Sequence, residues 1–140
     1  MLDKLRIIWR DLSTAGDFRK DWYGAATNQL SHTFVGAALA VFFSLCTGLL
    51  MGEMMPKVTL LGILIGGYLM FEVVVQGCKG MDTAYDTAFF GLGVGLIVVP
   101  FSEVAIQGLD VTLNFNASDF FWMAAIWLAV FVPYVFSRVR

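Results

Sequence analysis

From Thr33 to Gly52 the chain runs for 20 residues without one charged side chain. Few folds accept such a stretch. About 20 apolar residues in helical form span the hydrocarbon core of a bilayer. Further apolar stretches follow, and the spans are predicted at about 30–52, 58–78, 86–107 and 119–137. Composition agrees: 59% of the residues are hydrophobic and 14% are charged. Soluble domains carry about 25% charged residues, so much of the usual water-facing surface is missing. The expected fold is all-α, a four-helix integral membrane bundle over residues 27–140.

Residues 1–26 are the one long polar segment. Leu2, Leu5, Ile8, Trp9 and Leu12 recur at helical spacing between Asp3, Lys4, Arg6, Arg10 and Asp11. This pattern predicts an amphipathic helix on the membrane surface, with Trp9 at headgroup level. Trp22 and Tyr23 are read as further interfacial anchors. No cleavable signal peptide is expected, because the first 29 residues are polar and charged where an apolar segment would sit. Glu53 to Lys57 and Lys79 to Tyr85 are turns. Pro100 is expected to kink the third span, and Val111 to Ser118 is read as a polar loop. Asn116 or Ser118 is placed to cap the fourth span.

Charge sets the orientation. With four spans, Lys4, Arg6, Arg10, Arg19, Lys20, Lys79, Arg138 and Arg140 share one side and leave Lys57 alone on the other. The positive-inside rule makes the richer side, with both termini, cytoplasmic, as in a bacterial inner-membrane protein. So strong a bias argues against dual-topology exporters and fluoride channels of similar size. A net charge of −2 argues against nucleic acid as a partner. Cys46 and Cys78 fall near opposite membrane faces, too far apart for a disulfide.

The topology brings polar residues together. His32 at the start of the first span, Glu72 near the end of the second and Asp86 at the start of the third share one depth and one side. Each has a polar neighbour four residues away: Asn28, Gln76 and Asp82. Such pairs lie on one helix face, and none can face lipid cheaply, so they are expected to face each other. Three uses compete: a hydrogen-bonded packing network; a metal site, in which His32, Glu72 and Asp86 would be the ligands; and acid–base chemistry by a His–carboxylate pair. No nucleophile stands out, no catalytic residue is assigned and no cofactor is expected. Gly36, Gly91 and Gly95 are read as helix-packing positions. The string SEVAIQG, with Glu103 and Gln107, echoes FEVVVQG at 71–77, but is too short to establish an inverted repeat; Glu103 is placed at the outer interface.

His32, then Glu72 and Gln76, then Asp86 followed by Gly91 and Gly95, resembles the VanZ-like membrane proteins over residues 28–95. That family comprises small multi-span bacterial proteins, some associated with teicoplanin resistance. The resemblance implies that the polar cluster is a functional site. The chain departs from the family in its GCKGMD turn, where a Pro and an Arg are usual, and at Phe90, where an Asn is usual. A holin-like, membrane-permeabilising protein is the alternative from a different class, and an accessory subunit of a larger membrane complex is a third. The fourth span, rich in aromatics, offers a surface for lipid, for a second copy or for a partner helix.

Overall fold

The computed structural model describes residues 21–77, 80–107 and 110–139, with 102–107 and 110–113 described by backbone alone. The amphipathic segment expected over 1–26 thus lies, up to residue 20, outside the described residues. Four helices carry the fold: α1 (Trp22–Met51), α2 (Lys57–Val74), α3 (Met81–Val98) and α4 (Ala117–Ser137). A two-stranded antiparallel hairpin, β1 (Phe101–Gln107) and β2 (Asp110–Phe115), links α3 to α4.

The first helix begins well before the uncharged run. Asp21 caps it, its side chain accepting from Gly24 N–H at 2.9 Å. Trp22 and Tyr23 therefore form its first turn rather than a separate interfacial segment. Asn28 and His32 lie inside the helix, not at its entry. At 30 residues it is about 45 Å long. It ends at Gly52, whose φ of 77° is open to glycine without strain.

Three helices, α1, α2 and α4, are long and apolar enough to cross a membrane. The third is not among them. It equals α2 in length, 18 residues each, so composition makes the difference: Asp82 and Asp86 occupy its first two turns. It is nevertheless the best sheltered of the four. Thr83, Asp86, Phe89, Phe90, Gly93, Val94, Gly95 and Val98 are all buried.

The expectation that this span continues to residue 107 is corrected. The helix stops at Val98, and Pro100 ends it instead of kinking it. Proline has no N–H for the next helical bond and disfavours helical backbone in the residue before it. The β-branched residues beyond, Val104, Ile106, Val111 and Thr112, suit a strand pair. The segment read as a polar loop is mostly β2. Asn116 N–H donates to Pro100 C=O at 2.8 Å and closes the neck of the hairpin. The echo between FEVVVQG and SEVAIQG is not structural: the first ends a helix and the second lies largely in a strand.

The helices alternate in direction, and in cross-section they make a diamond. The two central helices, α1 and α3, run parallel and very close. A Cβ on Gly36 would fall 2.2 Å from Phe90 O, and one on Gly93 would fall 2.0 Å from Thr33 O. Such contact is open only to glycine. On one flank lies α2, where Leu60 and Leu64 pack with Ala40, Phe90, Val94 and Val98. On the other lies α4, where Tyr134, Trp127 and Phe131 pack with Ala25 and Phe89. Consecutive phenylalanines thus face opposite flanks. Among the described residues α2 and α4 do not touch. Many outward side chains are large and apolar, among them Phe34, Leu50, Val58, Phe121 and Trp122.

At the end of the bundle where α1 and α3 finish, Lys57 Nζ donates to Val99 C=O at 2.8 Å. The cation that stands alone on its side in the sequence thus satisfies a free carbonyl at the end of α3, where the helix dipole favours positive charge. The fourth helix begins at Asn116, whose side chain accepts from Ser118 and Asp119 N–H at 3.0 and 3.4 Å. Asn116, not Ser118, is the cap.

Candidate functional site

Where α1 starts, α2 ends and α3 starts, the diamond holds a connected set of polar side chains. Its centre is His32, the chain's single histidine. Tyr68 of α2 places its hydroxyl 2.8 Å from His32 Nδ1. Asp86 of α3 places Oδ1 3.4 Å from His32 Nε2. Both ring nitrogens therefore face a titratable group, each on a different helix: Nδ1 by a hydrogen bond and Nε2 at ion-pair distance. Tyr68 also donates to Glu72 Oε1 at 2.5 Å, one turn along its own helix. The path Glu72–Tyr68–His32–Asp86 runs from one flank of the diamond into its centre.

Asp86 is held from α1 by more than the histidine. Gln29 Nε2 donates to the same Oδ1 at 2.6 Å and Asn28 Nδ2 at 3.3 Å. Residues 28, 29 and 32 share one helical turn, which is why one carboxylate oxygen meets all three. Gln29 Nε2 also reaches the Tyr134 hydroxyl of α4 at 3.2 Å. One turn further in, Trp127 Nε1 donates to Thr33 Oγ1 at 2.9 Å. Thr33 in turn donates to Gln29 C=O. All four helices contribute.

Burial is deep: Gln29 and Glu72 are each 1% exposed and Asp86 is 8% exposed. The Tyr68 ring is fixed by stacking on Phe90, with centroids 4.2 Å apart and planes 11° apart. Its hydroxyl is thereby aimed rather than free to swing. Among the described residues Gln29 Oε1 is a buried oxygen without a hydrogen-bond partner.

The residues singled out in the sequence separate into two groups. Asn28, His32, Glu72 and Asp86 belong to the connected set. Asp82 does not: it takes Arg138 Nη2 at 3.4 Å at the outer edge, and Arg138 lies over the Tyr134 ring. Gln76 lies past the last helical residue of α2, in the turn. Gly91 meets Ile65 of α2, and Gly95 meets Met123 of α4. The closest helix contact, beside Gly36, is made by Gly93.

Tyr68, Gln29, Tyr134 and Trp127 were not anticipated. Tyr68 precedes Glu72 by one turn and Gln29 precedes His32 by three residues, so helical spacing was the available signal. Tyr134 and Trp127 are seven residues apart on an otherwise apolar helix, again one face.

The metal reading finds no geometric support. Among the described residues no three His, Cys, Asp or Glu side chains group to hold a metal ion. The physical reason is Tyr68, whose hydroxyl stands between His32 and Glu72 and bonds to both. Cys46 is a free thiol, and Cys78 lies outside the described residues. Ser31 donates to Thr27 C=O of its own helix. Among the described residues, neither Ser31 nor Cys46 bonds to the histidine; the hydroxyl beside it is that of Tyr68. The set can bind, hold and pass protons.

No protein-family description matches the chain, and neither a curated protein nor a solved structure matches it.

Proposed function

We propose that the chain is a bacterial integral membrane protein in which all four helices cross the bilayer as one bundle, both termini cytoplasmic, and that the cluster around His32 is an acid–base site in its cytoplasmic half. Three candidate spans support the membrane placement. The burial of Asp86 and the pairing of Asp82 with Arg138 support a membrane placement for α3 as well. The lysine and arginine distribution supports the orientation.

One observation carries the acid–base reading: the single histidine is engaged at both nitrogens by titratable groups from two other helices. A packing network needs only neutral amides and hydroxyls. Carboxyl groups placed inside a membrane protein are costly, and that cost marks functional sites. The VanZ-like resemblance draws on three residues of this cluster, His32, Glu72 and Asp86, but no family match supports it, and the reading stands on the cluster itself. The holin-like reading draws on small size, several short spans, the charged N-terminal segment and the basic C-terminal Arg138 and Arg140, features that many small membrane proteins share. The accessory-subunit reading draws on the apolar face of α4, which lipid covers equally well.

Reporter fusions at the C terminus and in the 53–56 turn test the orientation, with cytoplasmic and opposite-side signals expected respectively. Protein in lipid nanodiscs, given a rapid acid jump with a pH-indicating dye, tests the site. Proton uptake is expected in the parent and is expected to be smaller, by the share of the cluster, in a Glu72→Gln, Asp86→Asn variant of matched melting temperature. Equal uptake in both would overturn the reading.

A further inference from the structure

We propose that Glu72, Tyr68, His32 and Asp86 form a proton wire through which two carboxyl groups, on α2 and α3, share one proton. The proposal rests on the acid–base reading above and adds the path and the event. The links are 2.5 Å from Glu72 Oε1 to the Tyr68 hydroxyl, 2.8 Å from that hydroxyl to His32 Nδ1, and 3.4 Å from His32 Nε2 to Asp86 Oδ1. Each intermediate group both gives and receives one proton.

The balance closes without an outside reactant. In one state Glu72 is a carboxylic acid donating to the Tyr68 oxygen. Tyr68 donates to a bare Nδ1, and Nε2–H faces the Asp86 carboxylate. Transfer breaks the Glu72 O–H bond and forms a new O–H bond on Tyr68. Tyr68 gives its original proton to Nδ1, and Nε2 gives its own to Asp86. The second state has a Glu72 carboxylate, an Nδ1–H imidazole and an Asp86 carboxylic acid. Net charge is the same in both; only the histidine tautomer and the site of the negative charge differ.

The surroundings suit this exchange. Asn28 and Gln29 amides donate to Asp86 Oδ1, stabilising the carboxylate form. Tyr68 donates to Glu72 in its turn. Neither end is left without compensation. Asp82 and Arg138 pair with each other nearby, so they add little net charge. The slow link is the 3.4 Å gap, which must close by about 0.4 Å to reach ordinary hydrogen-bond length. The wire runs across the helices, not through the membrane. It moves a negative charge between two flanks of the bundle and is not by itself a transmembrane path.

A sole histidine makes the test direct. Protein carrying histidine labelled with the NMR-active nitrogen isotope, in lipid nanodiscs, gives one pair of ring signals. Near neutral pH both ring nitrogens are expected between the protonated and bare positions, the signature of exchanging tautomers. Glu72→Gln cannot give up a proton and is expected to freeze the ring in one tautomer. In a Tyr68→Phe background, Glu72→Gln is expected to leave the ring signals unmoved. A static single tautomer in the parent would overturn the wire, as would an imidazolium indifferent to residue 72. The parent spectrum is decisive even if a variant fails to fold. Proton uptake without tautomer exchange would keep the acid–base site and remove the wire; loss of both would remove the site and the wire with it.

Discussion

The Tyr68 hydroxyl stands 2.8 Å from His32 Nδ1 while its ring lies flat on Phe90. One side chain thus ties α2 to both central helices, by a polar bond to α1 and an aromatic contact to α3. Tyr68→Phe keeps the stack and removes the hydroxyl, leaving His32 and Glu72 each short of a partner. A loss of about 1–3 kcal/mol is expected. Tyr68→Ala also loses the ring, with a further loss expected to bring the total to about 3–5 kcal/mol. Thermal unfolding of both variants in detergent checks the order; equal losses would show that the ring contributes nothing.

Gly36 and Gly93 leave no room for a methyl group, since backbone oxygens lie 2.2 and 2.0 Å from where their Cβ atoms would be. Gly36→Ala and Gly93→Ala must therefore push α1 and α3 apart, at roughly 1–3 kcal/mol or more. At Gly95 the obstacle is the end of Met123, 2.6 Å away, a flexible side chain that can turn aside. Gly62 has open space. Melting temperatures should fall steeply for the first two, slightly for Gly95→Ala, and stay level or rise for Gly62→Ala.

Glu72 is 1% exposed. Glu72→Lys puts an unpaired cation there, costing roughly 3 kcal/mol, and Tyr68 loses its acceptor. Glu72→Gln keeps an acceptor oxygen and is expected to cost less than about 1.5 kcal/mol. Limited proteolysis in detergent separates the two: the lysine variant should be cut readily and the glutamine variant should resemble the parent. His32→Ala is expected to insert into the membrane normally.

At the opposite end, Lys57→Met removes the donor to Val99 C=O, for a loss of about 1 kcal/mol. Asn116→Ala removes the cap of α4, for another loss of about 1 kcal/mol. Lys57 bonds Val99 and Asn116 N–H bonds the adjacent Pro100, so the sites are neighbours and the double variant is expected to depart from the sum. Chemical denaturation of the single and double variants measures this coupling; strict additivity would show the two sites to be independent.

Because the Tyr68 hydroxyl stands between His32 and Glu72, chelator treatment is expected to leave the melting transition unchanged. Elemental analysis of the purified protein should find no stoichiometric metal. A metal retained in the parent and lost in both His32→Ala and Glu72→Ala would contradict the geometry.

Much of the architecture was legible in the residues. Long uncharged runs predict helices of membrane length wherever they occur, because an unpaired backbone is intolerable in lipid. The inward placement of His32, Glu72 and Asp86 followed from the cost of showing them to lipid. Asn116 as a cap followed from free N–H groups at a helix start. The end of α3 did not follow: Val104, Ala105 and Ile106 are apolar enough to extend a helix, and helical periodicity does not reveal their pairing with β2, Val104 with Leu113 and Ile106 with Val111.

By itself the sequence determined which faces of the helices are polar and that those faces must be hidden. Only the tertiary structure decided which polar groups meet. Helical periodicity fixes the neighbours of a residue along its own helix but not the rotation of one helix against another. Here that rotation is set by backbone contact at Gly36 and Gly93, which brings α1 and α3 into the centre and leaves α2 and α4 apart. From that arrangement alone Tyr68 arrives between His32 and Glu72, and a list of separate polar residues becomes one connected path.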